Sequence, residues 1–167
     1  MSTERQMRSL SLAIGAIWVV LDQLSKHWAV NRLSGGRIIH VIGSLQLNLS
    51  FNSGMAFGKG KGFGPVVGVI ALVVVVVILV GLRTGASRLG AVAVGLVVGG
   101  AVGNICDRLF RGDGWFRGSV VDFIDVQWWP VFNLADVGVT LGGALLVLGA
   151  LLAGRSRRAS ESVGSAP

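Results

Sequence analysis

Eight acidic side chains serve this 167-residue chain, and five of them lie between residues 107 and 136: Asp107, Asp113, Asp122, Asp125 and Asp136. Asn104 stands just before them, and Arg108 and Asn133 among them. Two carboxylates a few ångströms apart resist ionising together, so they share one proton and offer a base and an acid at once. Peptide hydrolysis needs both: a base to activate water and an acid to protonate the leaving amine. Such a pair titrates as a unit. Other reactive residue types offer less. Cys106, the one cysteine, has no neighbouring His in sequence and reads as a packing residue, and alone it excludes an intrachain disulfide. His27 and His40 have no partner at ligand spacing, and no His/Glu set accompanies the aspartates, so neither a metal nor another cofactor is expected.

A membrane must hold these residues. The chain is 52% hydrophobic and 14% charged, with a mean hydropathy of +0.72, which places it outside the ordinary globular class. Its net charge of +7 is spread along the flanks of apolar runs and forms no stripe of the kind that binds nucleic acid, so anionic lipid is the expected counter-charge. Four apolar segments are expected to span the bilayer, at about 10–30, 65–82, 89–106 and 134–153, in one domain over 1–154. Asp22, Gln23 and Lys26 interrupt the first, which therefore reads as a membrane helix rather than a cleaved leader. Gly95, Gly99 and Gly103 in the third, and Gly138 and Gly142 in the fourth, recur at i, i+4 spacing, which lets helix backbones approach closely in lipid. Residues 155–167 are basic, then rich in Ser, Ala and Gly, and are expected to be a disordered tail.

The connections carry the remaining structure. Leu45 to Phe51 alternates apolar and polar residues, the pattern of a half-buried strand, so a small sheet is expected over about 37–57 on the membrane surface. Seven of the 15 Lys and Arg fall in the two terminal segments and the 83–88 turn, which by the positive-inside rule puts both termini in the cytoplasm. All six Asp then lie at or near the outer ends of the spans. Asp22 and Lys26 share one face of the first helix; Asn104, Asp107 and Arg108 share a face of the third; Asn133 and Asp136 share a face at the start of the fourth. Burying these faces together costs less than showing them to lipid, and ionisable groups at that depth mark a functional site. Within the acidic group, Asp113 between two glycines reads as a turn residue, Asp125 as a surface charge near Trp128 and Trp129, and Asp107 as an ion-pair partner beside Arg108. Spacing alone leaves all five within reach of one another.

The motifs Asp22-Gln23-Leu24-Ser25-Lys26, Phe51-Asn52-Ser53-Gly54-Met55-Ala56-Phe57, Gly103-Asn104-Ile105-Cys106-Asp107-Arg108, Val120-Val121-Asp122-Phe123 and Phe132-Asn133-Leu134-Ala135-Asp136 occur in this order. Together they resemble the bacterial lipoprotein signal peptidases (signal peptidase II), over about residues 15–145. The resemblance implies four transmembrane helices with an extracytoplasmic β-cradle, and Asp122 and Asp136 as a catalytic dyad. It implies a diacylglyceryl-modified prolipoprotein as substrate, cut just before the lipidated cysteine. Asn52, Gly54, Asn104, Arg108 and Asn133 would shape the site and hold substrate, with Asp22, Lys26 and Asp107 in support. The expected location is the bacterial inner membrane, with the site near the outer leaflet, a monomeric chain, and no nucleic-acid partner. A proton-coupled small carrier built on the same buried Asp, Lys and Arg residues is the alternative from another class, though no internal repeat is visible.

Overall fold

The chain's computed structural model describes residues 3–54, 69, 87–112 and 117–164. Within them the apolar runs form three helices long and apolar enough to cross a membrane. The first, α1, covers Thr3–Leu33; at 1.5 Å per residue its 31 residues measure about 46 Å, well over the roughly 30 Å of hydrocarbon. It ends where Gly35 and Gly36 take φ of +77 and +78, the left-handed backbone that closes a helix C-terminus. The second, α2, covers Arg88–Phe110 and starts at Ser87, whose hydroxyl accepts from the Gly90 amide at 3.0 Å. The third, α3, covers Leu134–Gly164. The segment expected to span at 65–82 lies outside the described residues.

The tail departs from expectation. Instead of becoming irregular at 155, α3 continues to Gly164. The sequence from Arg155 to Gly164 contains no proline, and Arg, Ala and Glu propagate a helix well, so nothing stops the helix at the membrane edge.

Backbone proximity organises the helix packing. The central helix α2 lies between α1 and α3. A Cβ built at Gly99 would sit 2.7 Å from the Gly15 carbonyl oxygen, and one at Gly95 would sit 2.7 Å from the Ser11 carbonyl oxygen. The obstacles are backbone atoms of α1, which cannot swing aside. Gly99→Ala is therefore expected to cost about 1–3 kcal/mol of stability by overpacking. Thermal unfolding in detergent checks this, with the exposed Leu151→Ala as the matched control. An unchanged melting temperature for Gly99→Ala would place the two helices further apart.

A three-stranded antiparallel sheet sits at the other end of α1, in the order β1 (Ile38–Ile42), β2 (Leu45–Asn52), β3 (Val120–Asp125). The hairpin turns at Gly43, φ +54. Ile39 pairs with Leu47, Ser50 with Asp122 and Phe51 with Val121. Leu47, Leu49 and Phe123 pack onto Ala29 and Leu33 at the end of α1. Leu47 and Leu49 of β2 thus cover the helix end, while Ser50 and Asn52, paired with Asp122 and Val120, share a face of the sheet with Asp122. The sequence reading treated 120–125 as part of a connection that folds back. It is instead a strand of this sheet, and that is what carries Asp122 to the helices.

Candidate active site

Four carboxylates meet where β3, α1, α2 and the start of α3 converge, and they divide into two kinds. Asp22 and Asp107 hold cations. The Lys26 ammonium, itself fully buried, lies 2.9 Å from Asp22 Oδ2 and 2.9 Å from Asp107 Oδ2, and its third donor reaches Asn104 Oδ1 at 2.8 Å. Every proton on that nitrogen has an acceptor, which is what a buried ammonium requires. Asp107 also receives Arg111 Nε at 2.6 Å, Gln23 Nε2 at 3.2 Å and the Val121 amide at 3.2 Å. Asp22 also accepts from the Ala135 amide at 2.8 Å, so it satisfies one of the free N–H groups at the start of α3.

Asp122 and Asp136 have no cation among their hydrogen-bond partners in the described residues; amides alone hold them. Asn133 Nδ2 donates to Asp122 Oδ1 at 2.6 Å, and Asn52 Nδ2 donates to Asp122 Oδ2 at 3.3 Å. Asn104 Nδ2 donates to Asp136 Oδ1 at 2.9 Å. The Asn133 backbone amide donates to Asp136 Oδ2 at 3.2 Å, and the Asp136 amide returns a bond to Asn133 Oδ1 at 3.0 Å. This reciprocal pair is a capping box, with Asn at N-cap and Asp at the third helical position. The local need to start α3 thus brings one asparagine side chain into contact with both aspartates. Burial, and then the nearby Asp136 charge, push the Asp122 carboxyl up to about 6.

The motif after β2 closes one side. Asn52 Oδ1 accepts from the Gly54 amide at 3.1 Å, and Gly54 O accepts from Arg108 Nη2 at 2.8 Å. Arg108 is buried, and its Nη1 has no hydrogen-bond partner among the described residues. A buried N–H without an acceptor is costly and suits a site that awaits a carbonyl or carboxylate oxygen from outside.

All ten residues singled out from the sequence therefore meet in this one cluster: Asp22, Lys26, Asn52, Gly54, Asn104, Asp107, Arg108, Asp122, Asn133 and Asp136. Two readings change in detail. Asp107 pairs with Lys26 and Arg111, not with the adjacent Arg108, because neighbouring helical residues point apart. Asp125 is not a free surface charge: it is largely buried and accepts from Gln46 Nε2 at 2.8 Å and the Gln127 amide at 2.7 Å, and these bonds hold its carboxyl below the usual range. Asp113 lies outside the described residues. Gln23 and Arg111 were missed, although Gln23 lies inside a quoted motif and Arg111 stands at i+4 from Asp107. Trp18 was also missed; its Nε1 donates to the Leu134 carbonyl at 3.0 Å and ties α1 to the first turn of α3. Among the described residues no three His, Cys, Asp or Glu side chains gather as metal ligands would.

The chain is similar to known proteins over most of its length. The family model of signal peptidase (SPase) II matches residues 14–152. The lipoprotein signal peptidase of Mycobacterium avium (strain 104) is 41% identical over 165 residues, covering 95% of this chain and 90% of the relative. That of Rhodococcus jostii (strain RHA1) is 42% identical over 145 residues, covering 86% of this chain and 73% of the relative. A bacterial membrane enzyme solved by the in meso method at 2.3 Å superposes with a TM-score of 0.76 at 28% identity, over 88% of this chain and 90% of that one. A second, solved at 1.9 Å, gives 0.72 at 27% identity, over 84% and 92%.

Proposed function

This chain belongs to the signal peptidase II family, and we propose that it removes the signal peptides of diacylglyceryl-modified prolipoproteins by water activated between Asp122 and Asp136. The observation that carries the reading is the division of the buried acids. Asp22 and Asp107 are committed to Lys26 and Arg111, whereas Asp122 and Asp136 share the Asn133 amide and bind no cation among the described residues. Carboxylates held by neutral amides keep the freedom to exchange a proton that ion-paired ones lose. Charge balance supports a single proton on the pair. Lys26, Arg108 and Arg111 supply three positive charges against four carboxylates, so one proton on the dyad leaves the cluster neutral.

The reaction follows from that state. The ionised carboxylate takes a proton from water, and the hydroxide adds to the scissile carbonyl carbon. The protonated carboxyl gives its proton to the carbonyl oxygen, forming a gem-diol. The proton gained from water then passes to the leaving nitrogen as the C–N bond breaks, and the emptied carboxylate recovers a proton from a diol hydroxyl. Arg108 Nη1 would hold a substrate backbone oxygen. A substrate anchored by acyl chains already lies in the leaflet, so a site at that depth reaches the bond without drawing the chains out. The exposed Trp128 and Trp129 beside β3 support an outer-leaflet level, with both termini in the cytoplasm of a bacterial inner-membrane protein. One chain supplies every partner named for the aspartates, which supports action as a monomer.

Purified enzyme in detergent with a precursor peptide, with and without the diacylglyceryl group, tests the reading. Mass spectrometry should find a single cut immediately before the lipidated cysteine and none in the unlipidated peptide, with chelator present or absent. Proton flux in liposomes without peptide cleavage would point to a carrier instead. The pH dependence has a defined sign. Asp122 is raised to about 6, so above that value the free enzyme loses its shared proton and with it the acid. The value of kcat/KM is expected to fall above an inflection near 6, by about tenfold per pH unit. Bound substrate excludes water and disfavours the second charge, so the inflection in kcat should lie higher.

A further inference from the structure

The buried Lys26 touches neither Asp122 nor Asp136, yet hydrogen-bond chemistry links it to both. An ammonium only donates. Its 2.8 Å contact therefore obliges the Asn104 amide to turn its oxygen toward Lys26 and its Nδ2 toward Asp136, which it reaches at 2.9 Å. The second amide is fixed the same way. The Asp136 backbone N–H donates to Asn133 Oδ1 at 3.0 Å, so Asn133 Nδ2 faces Asp122 Oδ1 at 2.6 Å and Asn104 Oδ1 at 3.2 Å. Neither amide can flip without setting donor against donor. As a result both oxygens of Asp136 accept N–H groups, and the residue sits in the first turn of α3, where the helix dipole favours an anion. Asp122 has one short donor, whereas its Oδ2 has only Asn52 Nδ2 at 3.3 Å, the longest contact of the set.

We propose that Lys26 is a positioning residue that, through the Asn104 amide, fixes the resting negative charge on Asp136 and leaves the shared proton on Asp122 Oδ2. Asp136 is then the base that takes the proton from water, and Asp122 the acid that protonates the carbonyl oxygen. The assignment rests on the dyad reading above. Charged groups from each packed element belong to the same balance: Asp22 on α1, Asp107, Arg108 and Arg111 on α2, and Asp122 on β3. Asp22 and Asp107 hold Lys26 in place, so their contribution to the chemistry passes through it.

The test compares Lys26→Gln, Lys26→Arg and Asn104→Asp with the unsubstituted enzyme, on a lipidated precursor peptide in micelles, across pH, with thermal unfolding beside each. Lys26→Gln is expected to lower kcat about 100-fold, the scale set by small misplacements near a reacting centre, with KM within about threefold because substrate contacts remain. Losing the cation that lowers the Asp122 carboxyl should also move the alkaline inflection upward. Lys26→Arg still only donates and should recover part of kcat. Asn104→Asp decides the matter if Lys26→Gln does not fold. It keeps an oxygen for Lys26, replaces the donor to Asp136 with another anion, and should lose kcat with an upward inflection. A wild-type kcat, or a lower kcat with an unmoved inflection, in whichever of Lys26→Gln and Asn104→Asp folds overturns the relay. Asp122→Asn and Asp136→Asn run in the same assay separate the two levels: cleavage by either removes the dyad itself, whereas inactivity of both beside normal Lys26 and Asn104 variants removes only the relay.

Discussion

Asp122→Asn and Asp136→Asn are each expected to cut kcat by at least about 10⁴-fold, because each removes one of two groups that act as a unit. The structure gives reason to expect folded protein in both cases. An asparagine at 122 keeps an oxygen for Asn133 Nδ2 and resembles the protonated carboxyl that burial favours there. An asparagine at 136 keeps an oxygen for the Asn133 backbone amide, so most of the capping box survives, although its Nδ2 then faces Asn104 Nδ2. A weakened cap costs about 1 kcal/mol, far too little to explain inactivity. The check is single-turnover cleavage of a lipidated precursor, with thermal unfolding in detergent measured on the same samples. Residual cleavage within about tenfold of the unsubstituted enzyme, in either variant, would remove that residue from the chemistry.

The second large effect falls on stability. Asp107→Ala is expected to destabilise the protein by about 3–5 kcal/mol, the range for breaking a buried ion pair by removal of one partner. Four donors converge on this carboxylate: Lys26, Arg111, Gln23 and the Val121 amide. The loss leaves a buried ammonium with less counter-charge and detaches β3 from α2. Thermal unfolding in detergent reads the effect directly. Combining Asp107→Ala with Lys26→Met should cost less than the two changes summed, since the second removes the charge that the first strands. Strict additivity would show that the two side chains do not interact as their 2.9 Å separation implies.

Most of the site was legible because helix spacing and capping chemistry are local. Asp22 with Lys26, Asn104 with Arg108, and Asn133 with Asp136 each fall on one face of a helix by arithmetic alone, and the depth of three spans brings those faces level. The strand β2 announced itself by alternation. β3 did not, and the reason is physical: Val120 to Phe123 and Asp125 are buried, so the side chains on both faces of the strand are covered. A strand covered on both faces shows no period of two. Asp125 was misread for the same reason, since its partner Gln46 lies 79 residues earlier. Arg111 was passed over because Arg108 is adjacent to Asp107 in the chain, although i+4 is the spacing that meets on a helix. The Asn133 link between the two aspartates required the β3 register, which no local pattern supplies.

The capping box at the start of α3 bears on drug resistance. On the proposed function, a small molecule that competes for water between Asp122 and Asp136 would contact Asp136 and Asn133, which also begin that helix, together with the Asn104 amide that Lys26 holds. Changing any of these to evade the compound disturbs a helix terminus or a buried ammonium as well as the contact itself. A compound that relies only on these amides and carboxylates therefore leaves few substitutions that spare the fold.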